Sequence, residues 1–436
     1  MSLINREQWS SNFVFVIAAV GSAVGLGNIW RFPYIMGKYG GAVFLLVYLF
    51  FILFFCSVPL ICELCFGKYA KKENVGAYAL INPKFKFLGW LNVFTTIIIS
   101  SFYLVVGGWI VKYISISLFS IGSIKDYTSY FSSFVSDSIS AYVFTCIFLL
   151  ICMFFIYRGV NKGIALGNKI MMPVFLIILI ILCFVSISLP GASKGLEFMF
   201  KPDISKISFE MMFAALGQSF FTLSIGTGVL LVYGSYMKSS DNPIKSAYTI
   251  IFSDTLFALL AGIMIFPAVF SFGVEASSGP ELVFVTLPKI FSQIKFGNFV
   301  SLLFFILLLF AALTSQLSII EPQVAVLTEN FKLTRKKATL IVFVILLFLT
   351  VPTSLSFGVL KDVKIFSKTF FDLFDYISSN ILLPGGALAL CITLGWFSDR
   401  TIIFRFKNRK VHLLFLFMLR YIVPPVLIII IIGSTI

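Results

Sequence analysis

The sequence predicts an all-α polytopic membrane protein in which five spans are repeated, inverted, by the next five, with an eleventh helix added. Three observations lead there. Hydrophobic residues make up 59% of the 436 and charged residues only 12%, against about 45 to 50% and about 25% in an ordinary soluble domain. The apolar residues gather into eleven runs, most near or above the roughly 20 residues that cross a bilayer, and the mean hydropathy is +1.04. Two of those runs, five apart, carry clustered glycine, hydroxyl and amide residues at mid-span.

The runs cover roughly 11–36, 41–67, 87–118, 139–157, 164–189, 211–237, 243–272, 298–328, 337–357, 369–396 and 411–434. Residues 1–436 thus read as a single transmembrane domain, with 11–190 as the first repeat, 211–396 as the second and 411–434 as span eleven. The first run is too long for a signal-peptide core and lacks a small-residue cleavage site, so it is expected to stay as a span. Between spans seven and eight, the stretch 273–297 holds an apolar patch from Leu282 to Ile290 that is too short to cross. It reads as a lid-like outer loop.

Charge sets the orientation. The 33 Lys and Arg outnumber the 18 Asp and Glu, a formal +15, but the bases sit in loops between apolar runs rather than on a water-soluble face, so nucleic acid is not an expected partner. With the N-terminus inside, about twenty bases are cytoplasmic and about eleven are outside. This points to a multi-pass protein of the inner (plasma) membrane, N-terminus in and C-terminus out. All seven cysteines fall in apolar stretches, where a thiol behaves as a small hydrophobe, and no disulfide is expected. Cys62 and Cys65 flank Glu63 without a thioredoxin-like context and read as packing. The single histidine, His412, has no metal or nucleophile set around it, and "GLGNIW" lacks the third glycine of a dinucleotide loop. An enzyme is not expected.

The two abnormal runs are the first, Gly21-Ser-Ala-Val-Gly25-Leu-Gly27-Asn28, and the sixth, Gln218-Ser-Phe-Phe-Thr222-Leu-Ser224-Ile-Gly226-Thr-Gly228. Glycine costs about 1 kcal/mol against alanine inside a helix, so several together invite the helix to open. Gly21 and Gly25 alone would equally suit close helix packing. Opened backbone in a bilayer is tolerated only where protein buries it or it lines a polar cavity, and interrupted helices at corresponding places in two repeats point to a transporter binding site.

The stretches "REQWSSNFVFVIAAVGSAVGLGNIWRFPY", "GGAVFLLVY", "GQSFFTLSIGTG", "AALTSQLSIIEP" and "FDLFDYISSN" resemble, in order and spacing, the signatures of the neurotransmitter:sodium symporter family. The resemblance covers essentially the whole chain and is greatest to the short, eleven-span bacterial amino-acid members. It implies a leucine-transporter fold with helices one and six broken, and sodium-coupled uptake of a free α-amino acid by alternating access. A sodium-dependent sensor or a channel on the same fold is the alternative.

By the family pattern, one sodium site takes the carbonyl of Ala23, the amide of Asn28, Thr222, Asp254 and an oxygen of the substrate. The second takes the carbonyls of Gly21, Val24 and Ala311 with the hydroxyls of Thr314 and Ser315, although the last two could simply bond back to their own helix. Many relatives place Asn where Asp254 stands and balance charge with chloride. Tyr48, Gln218 and Thr222 match that anion neighbourhood, but Ala258 replaces a serine of the chloride-dependent members, and an ionised Asp254 is a poor neighbour for an anion at low dielectric. Chloride is therefore not expected.

Monoamine carriers place an Asp at the position of Gly25. Its absence leaves room for a substrate carboxylate, which the free amides near Leu26 and Gly27 suit and which the family pattern brings against the Tyr103 hydroxyl. The substrate side chain would meet Val24, Ile99, Phe221, Ser224, Thr227, Ser318 and Ile319, with Thr222 and Ser315 alongside. Thr227 stands where the family's leucine carrier has Phe, which points to large hydrophobic or aromatic substrates. Arg31 and Asp375 match an outer gate, and Arg6 and Glu329 an inner one. In span five, Gly163 and Pro173 reproduce a family spacing associated with inner unwinding; the proline frees the carbonyl of Lys169, and an ordinary kink is the alternative.

Overall fold

The computed structural model describes residues 7–119, 121–273, 282–398 and 408–435. Among them, nine helices are long and apolar enough to cross a membrane, and a bent pair makes a tenth. That pair is span one, Asn12–Ala23 followed by Gly27–Lys38, bent by 48°. Span six is interrupted more deeply, as Phe209–Thr222 and Val229–Ser235. The unbroken spans are Ala42–Ala70, Pro83–Leu118, Ser138–Tyr157, Val160–Ile187, Pro243–Ser271, Gly297–Asn330, Arg335–Phe357, Phe370–Phe397 and Arg409–Gly433. Each lies on one of the apolar runs read from the sequence.

The helix starts follow local chemistry. Ser11, Ser208 and Thr334 stand in extended backbone ahead of spans one, six and nine, each accepting a backbone N–H of the first turn. Asp137 and Asn242 do the same for spans four and seven. Span one's N-terminal half packs against spans five, seven and eight, while span six's C-terminal half lies along span two. Spans three and eight form the most extensive helix pair and wall the centre.

Two elements were not legible as structure. A short amphipathic helix, Ala192–Phe200, joins spans five and six and lies on span seven. The patch expected as a lid folds as a π turn, Leu282–Thr286, continuing into Leu287–Phe291. Its Phe284 stacks on Phe131 with centroids 5.4 Å apart and edges onto Trp109 and Tyr113, so the segment packs down into the molecule. Residues 274–281 of this loop lie outside the described residues.

Several spans carry π turns, which insert one residue into the ladder and recur at functional sites. In span five the turn is Val160–Ala165, around Gly163, with Pro173 inside the helix that follows. The irregularity anticipated from the glycine and proline is present there.

In span six, Ser224, Gly226 and Gly228 have φ of 52°, 90° and 72°. At Gly226 a Cβ would fall 2.1 Å from the carbonyl oxygen of Leu383 on span ten. Gly226→Ala therefore combines left-handed strain of about 1–3 kcal/mol with a backbone collision. It is expected to lower the melting temperature of the detergent-solubilised protein or abolish the folded species. Gly385→Ala on span ten, where nothing lies within 4 Å of the added carbon, is expected to change stability by less than about 0.5 kcal/mol. Equal melting curves for the two variants would show that span six is not held open by this contact.

Candidate functional site

The two helix breaks face each other at the centre of the molecule. In span one, Val24 leaves the helix at ψ 92°, and the exposed amides are then taken by side chains. Gly25 donates its N–H to Asn28 Oδ1 at 3.1 Å, and Leu26 donates to the Tyr103 hydroxyl oxygen at 3.4 Å. In span six, Gly226 donates to Glu63 Oε1 at 2.8 Å. Ser224 and Thr227 are tied by the Thr227 hydroxyl, which donates to the Ser224 carbonyl at 2.7 Å and accepts from Val229 N–H at 3.2 Å.

Between the breaks lies a cavity of about 50 Å³. Of the residues expected to meet substrate, Ala23, Gly25, Leu26, Gly27, Ile99, Tyr103, Phe221, Thr222, Ser224, Thr227, Ser315 and Ile319 line it. Val24 and Ser318 do not. Val24 turns fully into the apolar core, and Ser318 accepts the Ser22 hydroxyl at 2.7 Å while donating to the Ser315 carbonyl. Ser22, Phe102 and Leu383 line the cavity as well. With Ile99 and Ile319, Phe102 and Leu383 form one apolar cluster, against which Phe221 and Tyr103 pack. A Cβ at Gly25 would lie 2.4 Å from Ser315 Oγ and 3.2 Å from the Tyr103 oxygen. This wall admits no side chain at position 25 in the present arrangement.

Beside the cavity, Asp254 is completely buried. It accepts Asn28 Nδ2 at 2.8 Å, the Thr222 hydroxyl at 3.0 Å and the Tyr48 hydroxyl at 3.3 Å. All three donors are neutral. Gln218 donates to the Gly27 carbonyl, and its own Oε1 is buried without a partner. On the other side of span one, the Ser315 hydroxyl approaches the carbonyls of Gly21 and Ser22 at 3.5 and 3.2 Å. Thr314 bonds back to Phe310 and Ala311 of its own helix. A Cβ at Gly21 would fall 2.2 Å from Asn168 Oδ1, a buried oxygen that also lacks a hydrogen-bond partner. Asn168 follows the π turn of span five and had no distinguishing signal in the sequence.

The gates differ from one another. Arg31 lies 4.1 Å over the Phe221 ring and makes no direct ion pair with Asp375, which accepts the Ser379 hydroxyl at 3.1 Å. The two residues are thus brought to the same side without being joined. Arg6 lies outside the described residues. Its expected partner Glu329 accepts the N–H of Glu73 at 3.1 Å, on the wall of an inner cavity of about 620 Å³. The dominant contact at this end of the molecule is one that reading the sequence missed. Arg335 forms a bidentate pair with the fully buried Glu321 at 2.6 and 3.0 Å and donates Nε to the Ile156 carbonyl at 2.9 Å. The Tyr236 hydroxyl donates to the same carboxylate at 2.9 Å, and Trp9 ties the N-terminal segment to the Tyr233 and Tyr236 carbonyls. An acid in the middle of the apolar run "SQLSIIEP" was the available signal.

Comparison with known proteins places this arrangement. A model of the sodium:neurotransmitter symporter family matches residues 6–133 and 124–436. An uncharacterized sodium-dependent transporter of Bacillus subtilis, YhdH, is 36% identical over 99% of this chain and 98% of its own length. One from Methanocaldococcus jannaschii is 33% identical over 91% and 83%. The sodium- and chloride-dependent taurine transporter of Canis lupus familiaris is 28% identical over 90% and 71%. The crystal structure of MhsT in complex with L-phenylalanine superposes with a TM-score of 0.91, at 39% identity, covering 98% of this chain and all of that one. The fold is that of the leucine transporter.

Removing one partner of a buried, hydrogen-bonded charge pair costs about 3–5 kcal/mol, because the other charge is left uncompensated. Arg335→Leu is accordingly expected to destabilise the solubilised protein by that order, and Glu321→Leu combined with Arg335→Leu to recover much of the loss. Additive losses in the double variant, measured by thermal unfolding, would deny that the two groups act as a pair.

Proposed function

Since the chain belongs to the sodium:neurotransmitter symporter family, we propose that this sodium-dependent transporter takes up a free α-amino acid with a large hydrophobic or aromatic side chain, in symport with sodium and without chloride. It is a multi-pass membrane protein and not an enzyme. The observation that carries the reading is the meeting of two opened helices around Gly25, where amide donors, backbone carbonyls and an apolar cluster converge on one cavity.

A substrate carboxylate has two donors at hand, the Leu26 N–H and the Tyr103 hydroxyl, which presently engage each other. The narrow wall at Gly25 means that the negative charge arrives with the substrate rather than from a side chain at this position. The apolar cluster of Ile99, Phe102, Ile319 and Leu383 then receives the substrate's side chain. Thr227 spends its hydroxyl inside the span-six break and offers the cavity little bulk, so the floor is short. L-Phenylalanine, the ligand in the MhsT structure, is the first substrate to test. The cavity encloses about 50 Å³, so a bulky side chain enters only as the walls part.

Two sodium ions are proposed as co-substrates. One uses the oxygens of Ala23, Asn28, Thr222 and Asp254 with the substrate carboxylate, and the other those of Gly21, Val24, Ala311, Thr314 and Ser315. The donor chemistry fits a hard cation, being carbonyl, hydroxyl, amide and a single carboxylate. Thr222 directs its proton at Asp254, which leaves lone pairs for a cation, and Asp254 has no positive partner among its hydrogen-bond donors. With a carboxylate already there, chloride has no charge to balance. Entry of two sodium ions down about 100 mV contributes about 2.3 kcal/mol each, and a tenfold gradient about 1.4 kcal/mol each. That is enough for roughly a 10⁵-fold gradient of a zwitterion at tight coupling. The proposed setting is the plasma membrane with the N-terminus inside and the C-terminus outside.

In proteoliposomes, an inward sodium gradient is expected to drive accumulation of labelled L-phenylalanine above equilibrium, with no change when gluconate replaces chloride. Sodium-dependent binding without accumulation would make the protein a sensor, and ion flux uncoupled from substrate a channel. Collapse of uptake in gluconate would refute chloride independence alone.

Thr227→Phe is expected to shift preference from phenylalanine towards smaller aliphatic amino acids, read by competition against labelled substrate. A pocket that loses or gains one methylene discriminates by about 1–3 kcal/mol, so a change of tenfold or more in relative affinity is anticipated. An unaltered competition profile would remove Thr227 from the pocket floor.

A further inference from the structure

Spans four and nine pack side by side, and most of the apolar length of each stays uncovered by the rest of the protein. Between them runs a groove of about 780 Å³. Its mouth is formed by Arg158, at the end of span four, and by Lys336 and Lys337, in the first turn of span nine. None of the three forms an ion pair among the described residues. Two rest on aromatic rings instead, with the Arg158 guanidinium 4.1 Å over Phe154 and the Lys336 ammonium 5.4 Å over Tyr157. Thr334 caps the same turn, so the positive end of a 20-residue helix adds to the cations.

Beyond the mouth the groove turns apolar, along Leu340 and Phe343 of span nine, with Leu340 63% exposed. At the junction stands Thr339. It is only 3% exposed, and its hydroxyl oxygen is buried without any hydrogen-bond partner. A buried hydroxyl left unpaired costs about 1–3 kcal/mol, and this one belongs to a residue of the groove wall, one turn inside the bases. Plain lipid tails would cover Leu340 and Phe343 but would satisfy neither the hydroxyl nor the three cations.

We propose that this groove is a binding site for one anionic phospholipid. The phosphate engages Arg158, Lys336 and Lys337, a glycerol ester oxygen accepts the Thr339 hydroxyl, and one acyl chain lies along Leu340 and Phe343. A free phosphate would satisfy the mouth but leave the apolar length of the groove unused, so the lipid is the better match. Basic pockets between helices are a recurring form of headgroup recognition. The location ties the site to the buried pair of Glu321 and Arg335. Ile156, two residues before Arg158, accepts Arg335 Nε, and Arg335 directly precedes Lys336. A bound lipid would therefore brace the same junction that Glu321 and Arg335 close.

The test is a lipid titration of the full-length protein in detergent, followed by native mass spectrometry, using phosphatidylglycerol, phosphatidylcholine and inorganic phosphate as separate probes. Wild type is expected to bind one phosphatidylglycerol at least tenfold more tightly than phosphatidylcholine, with inorganic phosphate unable to displace it. Each cation near a membrane surface contributes about fivefold. Arg158→Gln with Lys336→Gln and Lys337→Gln should thus weaken phosphatidylglycerol about 100-fold, while the same change at Lys361, Lys364 and Lys368 should leave it as in wild type. Leu340→Trp, which fills the apolar length and keeps every charge, is expected to lose the lipid too and serves should the triple variant not fold. Retained affinity in either groove variant, equal binding of phosphatidylcholine, or displacement by inorganic phosphate would each overturn the proposal.

Discussion

A peptide group opened inside hydrocarbon must find another partner or the helix will close again, and the central architecture follows from how that demand is met. Each break is held by side chains from other spans or from beyond the break itself. Tyr103 of span three and Asn28 take amides of span one. Glu63 of span two takes the amide of Gly226 in span six. Span two can do this because it lies along the C-terminal half of span six, so a carboxylate at position 63 reaches the unwound turn. The cost of a buried acid is offset in part by relieving a buried N–H that would otherwise go unpaired.

Three of the buried carboxylates, Glu321, Glu63 and Asp254, receive three different treatments. Glu321 has a guanidinium and a phenol. Glu63 has backbone donors of the break. Asp254 has an amide and two hydroxyls. Only the first is neutralised by a charge of the chain itself. Hydrogen bonds from neutral groups stabilise a carboxylate but leave its field uncancelled at low dielectric. Of the three, only Asp254 adjoins the cavity between the breaks. A carboxylate with neutral donors alone, beside amide and hydroxyl oxygens, is an oxygen set that a hard cation can take, and the proposed sodium site draws on it.

The spans and both breaks were legible because they rest on local composition. A 20-residue apolar window and a cluster of glycines are visible without knowing what touches what. The cavity wall was legible where the resemblance fixed positions, at Tyr103, Phe221 or Ser315. It failed at Val24 and Ser318, whose direction depends on how the chain turns after the helix stops. Glu63 was read only as a neighbour of two cysteines, because its partner is 163 residues away. Glu321 and Arg335 are 14 apart, yet the pairing requires a helix end and a turn whose geometry composition does not carry. Asn168 has no sequence signal at all; its significance is the bare oxygen facing Gly21.

The two faces of the molecule are closed by different physics. At the end of Phe284 and Arg31 the contacts are aromatic: Phe284 stacked on Phe131, Trp109 between Phe284 and Phe371, and Arg31 resting on Phe221. Such pairs contribute about 0.5–1.5 kcal/mol each beyond area burial and can be parted in sequence, with lipid or water entering as they separate. At the opposite end a buried bidentate ion pair is joined by a tyrosine and a helix-end carbonyl. Separating it would expose two charges in a low-dielectric region at once, a step costing several kcal/mol. An opening at this end that keeps Glu321 and Arg335 together avoids that step. The elements held there without a buried ion pair are the N-terminal segment, through Trp9 and the Lys238 ammonium on the Ser10 carbonyl, and the π turn of span five, whose Val160 amide donates to the Glu7 carboxylate. Both lead along spans one and five to Gly21 and Asn168, so in the proposed transport cycle they are the elements expected to part first, with the charged pair serving as the fixed point against which span one swings.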